Sequence, residues 1–222
     1  MHAKKVKRMS NAGSNNAASG GGFGKAPASS TSPSSVIPFS GHSGSGTKAL
    51  RKVANQFDTI RKEHDVPIAC RDVYIRSPLH SPTTFWFVGK IANVPPPSSN
   101  DGNDEEAVDS PRWIQTALLL KRIIFEYSKD QLRPQAMGGK YASSLELWLA
   151  PADSEMDVAT NKVSLRPVRA SLSDIEITLG ASDIGYNPEI YVGEERVKGG
   201  LRVERDEHGV PTKAPYEVNF SE

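Results

Sequence analysis

Apolar residues recur at helical spacing at Leu50, Val53, Ala54, Phe57 and Ile60, with Arg51, Lys52, Asn55, Gln56 and Arg61 between them. The pattern predicts an amphipathic helix of about four turns. It should stop before Pro67, whose ring disfavours helix at the preceding residue. The period then changes. CRDVYIRS at 70–77 and TTFWFVGKIANV at 83–94 read as strands, separated by the proline-bounded turn PLHSP. The second strand runs Phe85, Trp86, Phe87, Val88 without a polar break, so it should be packed on both faces.

Helical spacing returns after Ser110 and Pro111, a plausible N-cap and first helical position. From there to residue 129, Trp113, Ala117, Leu120 and Ile124 form one stripe flanked by Ile114, Leu118 and Phe125. So wide an apolar face predicts one long helix laid across a sheet. SSLELWLAPA at 143–152 reads as a strand with Leu145, Leu147 and Leu149 on one face. DSEMD follows as a local helix start, with Ser154 and Asp157 at capping-box spacing. KVSLRPVRA, SDIEITLG, PEIYVGEERV and GLRVERDEHG are short alternating segments, and VKGGLRV at 197–203 reads as a hairpin turning at Gly199-Gly200. The expected fold is α+β: a mainly antiparallel sheet of about five to seven strands packed by one long helix, preceded by an amphipathic helix.

Charge divides the chain. Residues 1–57 hold eight Lys or Arg and no Asp or Glu, whereas the rest holds 19 basic against 26 acidic residues. Residues 1–47 are rich in Ser, Gly, Ala, Asn and Pro and cannot bury enough apolar surface to order themselves, so a disordered basic tail is expected there, with one domain over 48–222. The tail's composition suits an organelle transit peptide, and KKVKR at 4–8 also suits nuclear import. Residues 95–110 carry five carboxylates and no basic residue, which predicts a solvated acidic loop. The single cysteine, Cys70, excludes an intrachain disulfide, and no apolar run reaches the length of a membrane span.

Candidate chemistry is sparse. GHSGSGTK at 41–48 has the glycine spacing of a phosphate-binding loop, but Thr47 precedes Lys48, so ammonium and hydroxyl are transposed. GHSGS also fails the G-x-S-x-G nucleophile pattern at Ser45. The five histidines show no metal-ligand spacing, and Asp153, Glu155 and Asp157 lack the glycine and glutamate of a calcium loop, so helix capping explains them better. No residue set selects a metal or a cofactor, and no aromatic-plus-basic stripe favours nucleic acid. Trp86, Trp113 and Trp148 fall in the most apolar segments and are expected in the core. Arg76, His80 and Lys90 are the candidate ligand or partner contacts, at the mouth of a pocket between strand 83–92 and helix 111–129.

At FWFVGKIA, and again at LRPQAMGGKYASSLELWLAPADSEMDVA, the chain resembles a group of uncharacterised plastid-targeted proteins of plants and algae. The resemblance covers roughly residues 70–162 and the GYNPEIYVG segment at 185–193, and the acidic stretch 95–110 departs from it. It implies a chloroplast address; nucleus and cytoplasm are the alternatives the tail leaves open. It brings no assigned catalytic residues. The expected function is therefore a non-enzymatic plastid accessory protein that binds a protein partner, as an assembly or regulatory factor for photosynthesis. The competing expectation is a small-molecule-binding protein or enzyme using the pocket just described.

Overall fold

The computed structural model describes residues 46–96, 108, 110–190 and 200–218. The tail through residue 45, most of the acidic loop 95–110 and the first half of the Gly199-Gly200 hairpin lie outside the described residues.

The first helical stripe forms α1 (Gly46–Glu63) with Thr47 and Lys48 in its opening turn, and the rest of GHSGSGTK, residues 41–45, lies outside the described residues. A single turn, α2 (Val66–Ala69), leads into β1 (Cys70–Arg76), and β2 (Thr84–Asn93) returns antiparallel to it. Then come α3 (Pro111–Tyr127), which runs on into a π-turn at Ser128–Leu132, and the short α4 (Pro134–Met137). The chain continues through β3 (Glu146–Pro151), α5 (Glu155–Ala159), β4 (Arg166–Pro167), β5 (Ile184–Pro188) and β6 (Arg202–Glu204). The fold is α+β with a six-stranded antiparallel sheet in the order β4-β3-β1-β2-β5, and β6 shares with β5 the outer edge of β2.

Each face of the sheet has its own core. One face presents Val73, Ile75, Ile91, Leu147 and Leu149, and it receives Val53 of α1 and Trp113, Leu120 and Ile124 of α3. Two helices of similar length, 18 and 17 residues, thus contribute to this side, in place of one long helix. The opposite face presents Tyr74, Phe85, Phe87, Trp148 and Val203, packed with Val158 of α5 and Leu165. Trp113 and Trp148 are buried, as expected of core tryptophans, and Trp86 packs against the helical core while partly exposed.

SDIEITLG alternates like a strand but pairs with none among the described residues. Leu172–Asp174 is a 3-10 turn, and Ile177 and Leu179 pack into the helical core. The α3 residue Gln115 ties the segment down: its Nε2 donates to Glu176 O at 2.9 Å, and its Oε1 accepts from Thr178 Oγ1 at 3.2 Å.

One irregularity redirects β2. Val73 faces Gly89 while Tyr74 faces Phe87, so Val88 is an extra residue and the strand bulges. Gly89 adopts φ +132°, and a Cβ there would stand 2.2 Å from Asn187 O. The Val88 carbonyl, turned out of the β1 ladder, accepts from Tyr186 Oη at 2.6 Å and from Glu189 N at 3.1 Å. The bulge reverses the alternation beyond it. Lys90 therefore shares the face of Phe85 and Phe87, away from α3.

Candidate functional site

Asp72 and Lys90 are direct cross-strand partners on that second face. Beyond β3 the backbone turns at Asp153, whose φ is +52°, and the start of α5 folds back over them. Asp72 is fully buried. Its carboxyl accepts from the backbone N–H of Ser154 at 2.8 Å and of Asp153 at 3.2 Å. Lys90 Nζ lies 3.6 Å from Asp72 Oδ1 and 2.7 Å from Glu155 Oε1, and it is also bonded to Asp153. Three carboxylates thus ring a single cation, the protein's own ammonium.

Burial raises the Asp72 carboxyl to about 7; the Lys90 charge opposes this and the neighbouring Glu155 reinforces it. For Lys90, burial alone would lower the pKa. Hydrogen bonds to Asp153 and Glu155 and the charge of Asp72 outweigh it, so the ammonium is held above its ordinary value. A lysine so held stays protonated at neutral pH and serves as a charge centre, not a nucleophile.

The three sequence-predicted residues do not converge. Lys90 belongs to the charged cluster. Arg76 stands on the same face but at the far end of β1, its guanidinium 4.9 Å from the Phe85 ring centroid and 4.8 Å from that of Trp148. It donates through Nε to Glu146 Oε2 at 2.9 Å and through Nη1 to Pro82 O at 2.8 Å, so its hydrogen-bonding capacity is spent within the fold. His80 is exposed in the β1–β2 turn, its ring 5.1 Å from that of Tyr141. Between β2 and α3, the expected place of the pocket, Val88 and Ile91 meet Trp113, Leu120 and Ile124, all buried.

Asp72 was not among the expected site residues, and Ser154 was expected only as a helix cap. The one carboxylate in the CRDVYIR strand was the available signal, because a buried charge requires a partner. The capping box expected of Ser154 and Asp157 does not form: Ser154 Oγ lies against Asp72 and Pro151, and Asp157 pairs with Lys162 at 3.0 Å.

Beside the cluster lies a cavity of about 270 Å³ lined by Phe87, Glu155, Met156, Ala159, Glu189 and Leu201. Its floor is apolar, its rim carries two carboxylates, and Met156 is 66 % exposed. Glu155 therefore belongs both to the buried charge cluster and to the rim of this recess.

Among the described residues no helix is long and apolar enough to cross a membrane. Compared with known protein families, curated proteins and solved structures, the chain matches none.

Proposed function

We propose that this protein is a plastid accessory protein that works by binding another protein, and that the recess beside α5 is its contact surface. The observation that carries the reading is the pairing of an apolar floor with an acidic rim. Phe87, Ala159 and Leu201 offer a depression for one apolar side chain, with Glu155 and Glu189 on either side and Met156 exposed at its border. The complementary partner is a peptide segment in which an apolar anchor is flanked by Lys or Arg. The plastid address draws on the acid-free, basic first 57 residues and on the resemblance carried by FWFVGKIA and the LRPQAMGGK block.

Panning a random peptide library against the full chain tests the contact. Selected peptides should place basic residues around one apolar residue, and the paired substitutions Glu155→Gln and Glu189→Gln should abolish their binding. Peptides of no common charge pattern, or binding indifferent to those substitutions, would remove the reading. Fusing residues 1–60 to a fluorescent reporter in plant cells tests the address, and fluorescence confined to the cytosol or nucleus would refute it.

A further inference from the structure

Residues 1–45 contain one run of bulky apolar residues, Val36-Ile37-Pro38-Phe39, in a stretch otherwise dominated by Ser, Gly, Ala and Asn. Six residues, Ser40 to Ser45, join it to Gly46, the first residue of α1. The run lies outside the described residues, but the point where the chain enters α1 is described, and it opens on a recess.

This recess, of about 300 Å³, lies on the helical side of the sheet, where the start of α1 meets the end of α3. Leu50, Ile123 and Tyr127 give it its apolar surface. Leu50 stands beside the buried α1 stripe of Ala49, Val53 and Phe57 and is itself only partly buried. Ile123 and Tyr127 are one helical turn apart and share a face of α3. Tyr127 Oη donates to Glu189 O at 2.7 Å, which fixes the ring as one wall. Gly46 also lines the recess, and a Cβ there would meet nothing within 4 Å, so this side is open. Charge does not oppose an uncharged occupant. Glu126 pairs with Arg122 at 2.8 Å, Lys129 and Asp130 offset each other, and residues 34–45 hold no Lys, Arg, Asp or Glu.

We propose that Val36–Phe39 turns back over the start of α1 and docks in this recess, with the Phe39 ring against Leu50, Ile123 and Tyr127. The link from Phe39 to Gly46 reaches at most about 25 Å when fully extended. A Gly/Ser-rich link of this length averages about 14 Å. Because Gly46 itself borders the recess, the segment is held beside it at an effective concentration on the order of millimolar. One or two apolar side chains then suffice for docking where a free peptide would not stay. Pro38 has a fixed φ, so less freedom is lost when the segment docks. The folded unit thus begins near Val36 instead of residue 48, and a leader removed from this chain must be cut ahead of Val36 if the recess is to stay filled. The docking does not rest on the partner reading, which concerns the recess on the other face of the sheet.

Paramagnetic broadening in the full-length protein tests it. Cys70 is buried, so a cysteine introduced by Ser35→Cys is the one a nitroxide reagent labels. Amide signals of residues 123–131 should broaden with the nitroxide in place and recover when it is reduced. Phe39→Ser in the same labelled chain should remove the broadening and leave the shifts of β1 and β3 where they were. Leu50→Ala should weaken the broadening, whereas Leu79→Ala, at an exposed leucine of the β1–β2 turn, should not. No broadening in the parent, broadening that persists in Phe39→Ser, or equal effects of the two leucine variants overturns the proposal. Mixing the labelled chain with an unlabelled, isotope-enriched one identifies a second copy as the occupant: broadening that survives in the mixture places Val36–Phe39 in another chain's recess and also overturns it.

Discussion

Gly185 of β5 lies directly against the backbone of Phe57 in α1: a Cβ on Gly185 would stand 2.3 Å from the Phe57 nitrogen and 2.4 Å from its Cα. Helix and strand meet here main chain to main chain. The contact lets Phe57 and Ile60 sink into a small core with Ala69, Cys70 and Ala92. Gly185→Ala forces α1 outward, because backbone atoms cannot yield as a flexible side chain does. We expect a loss of about 1–3 kcal/mol by urea denaturation. A spectrum of native type with lowered stability would separate this effect from misfolding.

The β2 bulge gives a second prediction. Gly89→Ala places a side chain at φ +132° and into Asn187 O, so both local strain and the β2–β5 pairing oppose it. The cost should be about 1–3 kcal/mol or more. The local consequence is more telling than the size. If the bulge is lost, the side chains beyond it change face and Lys90 leaves Asp72. The Asp72 carboxyl resonance should therefore move in Gly89→Ala and stay in place in Gly185→Ala.

Arg205 is fully buried with no carboxylate against it in the described residues. Its guanidinium donates to Asn161 Oδ1 at 2.9 Å, to Glu204 O at 2.7 Å and to Val158 O, and Asn161 in turn donates to Glu217 O at 2.6 Å. Burial lowers its pKa. The fork ties the end of α5 to the C-terminal segment, and a lysine cannot reproduce its spread of donors. Arg205→Lys should cost about 3 kcal/mol through the carbonyls left unsatisfied. Limited proteolysis should then cut first near residues 211–217, where Asn161 no longer holds the chain.

β1, β2 and α3 were legible in the sequence to within a few residues because their cores repeat with the period of the element. What stayed hidden depended on partners distant in sequence. SDIEITLG has the alternation of a strand, yet it is held by the side chain of Gln115, about 60 residues away, through Glu176 O and Thr178 Oγ1. Simple alternation from Phe85 sends Lys90 toward α3, and it is the bulge at Val88 that sends it toward Asp72. The signal was present as a glycine interrupting an apolar strand, which commonly marks a bulge. Asp153, Glu155 and Asp157 read as helix caps because nothing in their spacing reveals Lys90, 63 residues from Asp153.

Lys90 gives the last prediction, and its pH dependence has a definite sign. Lys90 has a raised folded pKa, so its contribution is complete below the unfolded value near 10.5 and is lost only in alkali. It adds no slope between pH 5 and 8. Asp72 is also raised, from 3.8 to about 7. Below about 4 both folded and unfolded chains hold its proton. Between 4 and 7 the folded chain alone holds it, so stability falls as pH rises through that window and then levels. Replacing Lys90 with methionine removes the charge that opposes Asp72 protonation, which moves the folded midpoint upward and extends the fall beyond pH 7. The variant should lose about 2 kcal/mol or more at pH 8 and clearly less at pH 5. Asp72→Asn in the same chain should return most of the loss at pH 8. Thermal melts of the four proteins across this range check it: an equal Lys90→Met penalty at both pH values would show that Asp72 is ionised throughout.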